Sequence, residues 1–166
     1  MGLFSDEPKD INNQNMSWAN TAGAIISTSH DTAIWLRHLL TDNNLLPDIQ
    51  RQELIGIVDV ENGQPLPSES NKMGYGLGVA HFNSPAGELW GHDGGTFGFI
   101  SHMYWLKCND VVITAIVNHV DQDEVGGLGS TAITMDLIHF IQQTDPTTQL
   151  SKSWRSNKPK YIMKIA

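Results

Sequence analysis

Apolar residues recur at helical spacing early in the chain, where Ala33, Ile34, Leu36, Leu39 and Leu40 form one broad stripe. Thr28-Ser-His-Asp31 stands just before that stripe and reads as a capping box, with Asp as a shorter third partner than Glu. Together they predict a helix running to about Leu40 and stopped by Asn43-Asn44. Pro47 fits the first turn of a second, shorter helix reaching about Ile55. Residues 58–72 then lose the period; Glu61-Asn-Gly-Gln-Pro and Pro67-Ser-Glu-Ser-Asn read as an exposed loop.

Beyond the loop the period changes to that of strands. Tyr75–His81, Glu88–His92, Phe99–Leu106 and Val111–Asn118 are the strand candidates. Asn83-Ser-Pro-Ala-Gly connects the first two, and Lys107-Cys-Asn-Asp110 makes a hairpin between the last two. Val111-Val-Ile-Thr-Ala-Ile-Val is apolar on both faces, which predicts a central strand covered above and below. Ile133, Leu137, Phe140 and Ile141 repeat at i, i+4, i+7 and i+8, one stripe of a helix over about 130–142. The fold class expected is α+β: an antiparallel sheet of three to four strands flanked by helices. Residues 1–16 read as loop or remnant, 17–143 as the folded unit, and 144–166 as a polar, basic tail.

Composition narrows the function. At 166 residues there is one domain with room for a core. Ten basic against eighteen acidic residues give a net charge of −8, which argues against nucleic acid or an anionic membrane as partner. A lone Cys108 rules out an internal disulfide and leaves the compartment open. Met1-Gly-Leu-Phe-Ser-Asp has neither the basic start nor the apolar run of a secretory signal, and Asp6 stands where myristoylation wants Ser or Thr. No pair among the seven histidines falls at metal-ligand spacing, so neither a metal nor another cofactor is expected. The five tryptophans read as core or rim aromatics.

The densest chemical signal is Glu88-Leu-Trp-Gly-His-Asp-Gly-Gly-Thr-Phe-Gly-Phe99, where a short strand runs into His92 and four glycines crowd together. Glycine at that density marks a backbone that something approaches closely, or else a wide turn with bulges. Three segments in this order resemble the carboxy-terminal half of the serine β-lactamase-like family, which includes class C β-lactamases, D-alanyl-D-alanine carboxypeptidases, D-aminopeptidases and related esterases. Ala22-Gly-Ala-Ile-Ile-Ser-Thr-Ser-His-Asp31 resembles the entry to a helix of its helical region. Tyr75-Gly-Leu-Gly resembles the strand before its third motif. Gly91-His-Asp-Gly-Gly-Thr-Phe-Gly-Phe99 resembles the His-x-Gly form of its Lys-Thr-Gly motif.

The resemblance implies a partial β-lactamase/transpeptidase-like fold and an acyl-serine hydrolase acting on a small-molecule or peptide amide or ester. It also implies site positions. His92 matches the Lys/His beside the nucleophile, Gly94 the glycine that lets the serine come near, and Gly95 the site of an oxyanion-hole N–H. Asp93 and Thr96 match substrate-facing positions. A carboxylate at Asp93 would repel an anionic substrate, by about 4 kcal/mol at about 4 Å and an effective dielectric near 20. That shifts the expectation modestly from a β-lactamase toward an esterase- or amidase-like parent with a neutral or cationic substrate.

Two family motifs are missing. No serine has Lys three residues on, and Tyr75, Tyr104 and Tyr161 are followed at the second position by Leu, Leu and Met rather than Asn. The expectation is a carboxy-terminal fragment, inactive alone, with a binding or regulatory module and one chain of a split enzyme as alternatives. Without the family's amino-terminal strands, Val111–Asn118 would keep an open apolar edge. A homodimer or exchanged oligomer, through that edge or the tail, is expected.

Overall fold

The computed structural model describes residues 15–42, 44–84, 87–96, 99–118 and the backbone of 160–165. Among these, a 3-10 turn at Met16–Ala19 leads into a short helix, α1 (Asn20–Gly23), then α2 (Ser29–Thr41) and α3 (Asp48–Leu54). One sheet follows, with strands in chain order: β1 (Val58–Asp59), β2 (Gly74–Tyr75), β3 (Ala80–Ser84), β4 (Gly87–Thr96), β5 (Phe99–Leu106), β6 (Val111–Val117) and β7 (Lys160–Ile165). The first six form an antiparallel meander and β7 adds to β6 in parallel. The α+β class expected from the sequence is what is observed, with seven strands among the described residues rather than three to four.

The helix α2 starts where its cap predicts. Thr28 Oγ1 accepts the Asp31 N–H at 3.1 Å and donates to Asp31 Oδ2 at 2.9 Å, so one orphan donor of the first turn is satisfied. Its buried residues, Ser29, Ala33, Leu36 and Leu40, lie three or four apart and pack onto the sheet with Ile57, Val79, Trp90 and Val112. Ile34 and Leu39 are only half-buried, so the stripe is narrower than the sequence implied. Thr114 Oγ1 on β6 donates to the Ser29 carbonyl at 2.9 Å and ties the start of the helix to the sheet. A second core, Leu89, Tyr104, Leu106, Val111 and Ile113, lies on the opposite face. The central-strand reading of β6 holds: five consecutive residues from Val111 are buried. Each fully buried aliphatic side chain of this kind contributes about 1.5–3 kcal/mol.

Four expectations are corrected. Tyr75–His81 is not one strand. Gly78 takes a φ of +81°, Gly76 N–H bonds the Val79 carbonyl at 2.8 Å, and the chain folds back as a hairpin between β2 and β3. The strand expected to end at His92 runs on to Thr96, because β5 pairs with it as far as Thr96↔Phe99. Within the expected loop 58–72, Val58–Asp59 forms an edge strand, and the buried Asp59 accepts from Lys72 Nζ at 2.7 Å. The edge of β6 expected to be open is paired from Val111 to Ile116 by β7, since unpaired backbone groups take the strand this chain itself supplies. The helix expected over about 130–142 and the boundaries at 16 and 143–144 lie wholly or partly outside the described residues.

Candidate functional site

The strand β4 is paired unequally on its two sides. β3 covers it only from Gly87 to Gly91, whereas β5 covers it from Leu89 to Thr96. From His92 to Thr96 the β3 side therefore has no partner strand among the described residues, and such an edge is one along which an extended ligand can add. This half-open edge begins at the histidine singled out by the sequence.

Gly91 explains how β4 and β5 come together. A Cβ there would lie 1.9 Å from the Met103 carbonyl oxygen and 2.7 Å from Tyr104 Cδ1, so the Tyr104 ring and the β5 backbone occupy the space of a side chain. At Gly95, by contrast, a Cβ would meet no described atom within 4 Å, so no described atom fills the space that a side chain would take there. At Gly94 a Cβ would meet Ser101 Oγ at 2.4 Å, directly opposite on β5.

Strand alternation divides the five candidates between two faces. His92, Gly94 and Thr96 share one, and Asp93 and Gly95 the other. The His92 ring stands at the start of the open edge. Its Nε2 is 2.5 Å from Tyr75 Oη, and the two rings meet edge to face at 5.7 Å. Tyr75 lies opposite Ala80, which lies opposite Gly91, so its phenol has only to pass the end of β3 to reach His92. His92 Nδ1 contacts the backbone carbonyl oxygen of Asp93.

Asp93 turns its carboxylate to the opposite face. Oδ1 accepts from Tyr104 Oη at 2.8 Å and from His102 Nδ1. Burial by itself would raise the Asp93 carboxyl, but the hydrogen bonds from His102 and then Tyr104 more than offset it and hold the group below the ordinary carboxylate range. Burial first, then the bond to Asp93 and its charge, push the Tyr104 phenol well above its usual value. The carboxylate is thus ionised and internally engaged. The repulsion of an anionic substrate reasoned from sequence needs this carboxylate beside the substrate, whereas here Tyr104 and His102 hold it on the face opposite His92.

Three residues of this arrangement were not assigned to the site from sequence: Tyr75, His102 and Tyr104. The signal for His102 was a register. Once Thr96 pairs with Phe99, counting back places Asp93 opposite His102 and Gly91 opposite Tyr104. Nearby, His81 is fully buried on β3 and packs on Trp90 at 4.4 Å between ring centroids. Its Nε2 stands 3.4 Å from Glu88 Oε1, and neither ring nitrogen has a hydrogen-bond partner among the described residues. Glu88 is instead engaged by Trp90 Nε1 and Lys107 Nζ, each at 2.9 Å. Among the described residues no three His, Cys, Asp or Glu side chains converge as a metal site.

A family model described as Beta-lactamase matches residues 3–156, nearly the whole chain. Among solved structures, a D-stereospecific amidohydrolase from Streptomyces sp. aligns with 33% sequence identity and a TM-score of 0.40. That alignment takes in 49% of this chain and only 22% of the amidohydrolase chain.

Proposed function

Since this chain belongs to the beta-lactamase family, we propose that it supplies one wall of an acyl-serine hydrolase site whose attacking serine comes from polypeptide outside these 166 residues. The carrying observation is the half-open edge of β4, with His92 at its entrance and Gly95 along it. An acyl substrate laid along that edge would hydrogen-bond to strand backbone, its carbonyl directed at the Gly95 N–H. His92 would stand beside the serine and its base, and Gly94 and Thr96 would line the same stretch. The sequence contains no Ser-x-x-Lys, so the chain alone forms no acyl-enzyme. The substrate is an amide or ester. With Asp93 on the other face, an anionic one is not disfavoured on its account.

The test is complementation. The purified chain should give no adduct with a fluorophosphonate or a fluorescent penicillin. Mixed with an amino-terminal half of a family member that carries Ser-x-x-Lys, it should restore labelling and ester hydrolysis, and His92→Ala should abolish both. Labelling of the 166-residue chain by itself would refute the proposal. We further propose that the parallel strand β7, held on β6 by backbone pairing, can exchange between copies to give a homodimer or larger exchanged oligomer. A stable monomer at micromolar concentration by light scattering would end that reading.

A further inference from the structure

We propose that Asp93 is a positioning residue for His92, acting through the strand from the opposite face and selecting which ring nitrogen of His92 carries the proton. This rests on the reading above, in which His92 stands at the acyl-transfer site. A backbone carbonyl oxygen only accepts hydrogen bonds. His92 Nδ1, set against the Asp93 carbonyl, must therefore hold the proton. In the neutral ring Nε2 is then an acceptor, and Tyr75 Oη at 2.5 Å donates to it. An unconstrained imidazole favours the other tautomer, with the proton on Nε2, so the surroundings reverse the intrinsic preference.

What fixes the carbonyl is the far face. The peptide of Asp93 lies in the half of β4 that pairs only with β5. Its side chain, however, is tied to two buried anchors: Tyr104, 5% exposed, and His102, 4% exposed. The Tyr104 ring can lie where it does because Gly91 has no Cβ. The chain of positions is continuous. Gly91 admits Tyr104, Tyr104 and His102 hold the Asp93 carboxylate, and the Asp93 carbonyl orients the His92 ring. The result is an Nε2 lone pair directed at the open edge and occupied, in the absence of substrate, by the Tyr75 hydroxyl. A group with an exchangeable proton entering beside Tyr75 would find an acceptor already oriented.

The experiment needs no serine. In the full chain labelled with 15N-histidine, long-range proton–nitrogen correlation at about pH 8, above the ordinary histidine range, reads the tautomer of His92, assigned by its loss in His92→Gln. The expected spectrum has the proton on Nδ1. Asp93→Ala should lower the Nδ1–H to Nε2–H ratio about tenfold, the scale of one net hydrogen bond. Asp93→Asn, which keeps an acceptor for Tyr104, should restore it. Should Asp93→Ala not fold, Tyr104→Phe removes one anchor without altering β4 and should move the ratio in the same direction. A wild-type proton on Nε2 overturns the proposal, as does a ratio unchanged in a folded Asp93→Ala or Tyr104→Phe. Restored labelling in the complementation assay with an unmoved tautomer rejects the positioning role alone. The expected tautomer without any restored labelling leaves the positioning intact and rejects the hydrolase reading.

Discussion

Replacing Gly91 by alanine would put a Cβ 1.9 Å from the Met103 carbonyl oxygen, 2.8 Å from the Met103 carbonyl carbon and 2.7 Å from Tyr104 Cδ1. Two of these three atoms are backbone of the paired strand, so no rotamer change relieves the clash; β4 and β5 must move apart where their ladder is continuous. Overpacking a tight site costs about 1–3 kcal/mol, and an obstacle made of backbone belongs at the top of that range. For a chain of this size each kcal/mol lowers the melting temperature by roughly 2–4 °C, so about 3 kcal/mol corresponds to roughly 6–12 °C. Gly95→Ala is the matched control. It lies on the same strand and face, but its Cβ meets no described atom within 4 Å. There the lower unfolded-state entropy of alanine should make the change neutral or stabilising by up to about 1 kcal/mol. Thermal and urea unfolding of the two variants beside the wild type measure the difference. Equal melting temperatures for Gly91→Ala and Gly95→Ala would refute the idea that the β4–β5 approach depends on the missing side chain at Gly91.

Further outcomes follow from charges buried or bridged in the fold. Burial lowers the His81 ring below its ordinary value, with nearby Glu88 opposing the shift. The unfolded ring therefore binds its proton first as pH falls. The associated stability is complete above about pH 6.5 and declines below it. Melting curves between about pH 8 and pH 5 should show a smaller decline for His81→Leu than for the wild type, and equal declines would contradict this. At the β5–β6 turn, Asp110 sits in the left-handed region with φ 49° and accepts from Arg37 Nη2 at 2.7 Å, Arg37 Nε at 3.2 Å and Trp105 Nε1 at 3.1 Å. The pair is partly exposed, so Asp110→Ala should cost about 1–2 kcal/mol, in part salt-dependent, and Asp110→Asn less, because asparagine tolerates that backbone and keeps an acceptor. Urea midpoints check the order, and an equal loss in both would count against it.

The parts of the fold written in local patterns were legible. Thr28 and the spacing of Ala33, Leu36 and Leu40 define α2, and the doubly apolar run at Val111 marks β6 as central. What escaped depended on partners distant in the chain or on residues without side chains. β7 finds its place only by pairing with β6, more than forty residues earlier, and Lys160-Tyr-Ile-Met-Lys-Ile carries no mark of that partner. Glycines at 91, 94 and 95 erase the two-residue alternation that would have carried β4 past His92. With the end of β4 misplaced, its register with β5 could not be counted. The face taken by Asp93, and its bonds to His102 and Tyr104, followed from that register. Tyr75 was hidden for a related reason: its segment reads as a continuous strand until Gly78 turns it back.

The most direct measurement is intact mass of the mixture after fluorophosphonate treatment, with this chain combined with a Ser-x-x-Lys-bearing half in its wild-type and His92→Ala forms. The expected result is a single adduct on the added half, formed only with wild-type His92, and an unmodified 166-residue chain. An adduct on this chain's own serine, or labelling of the added half that ignores His92, would contradict the assignment of β4 as one wall of an acyl-transfer cleft.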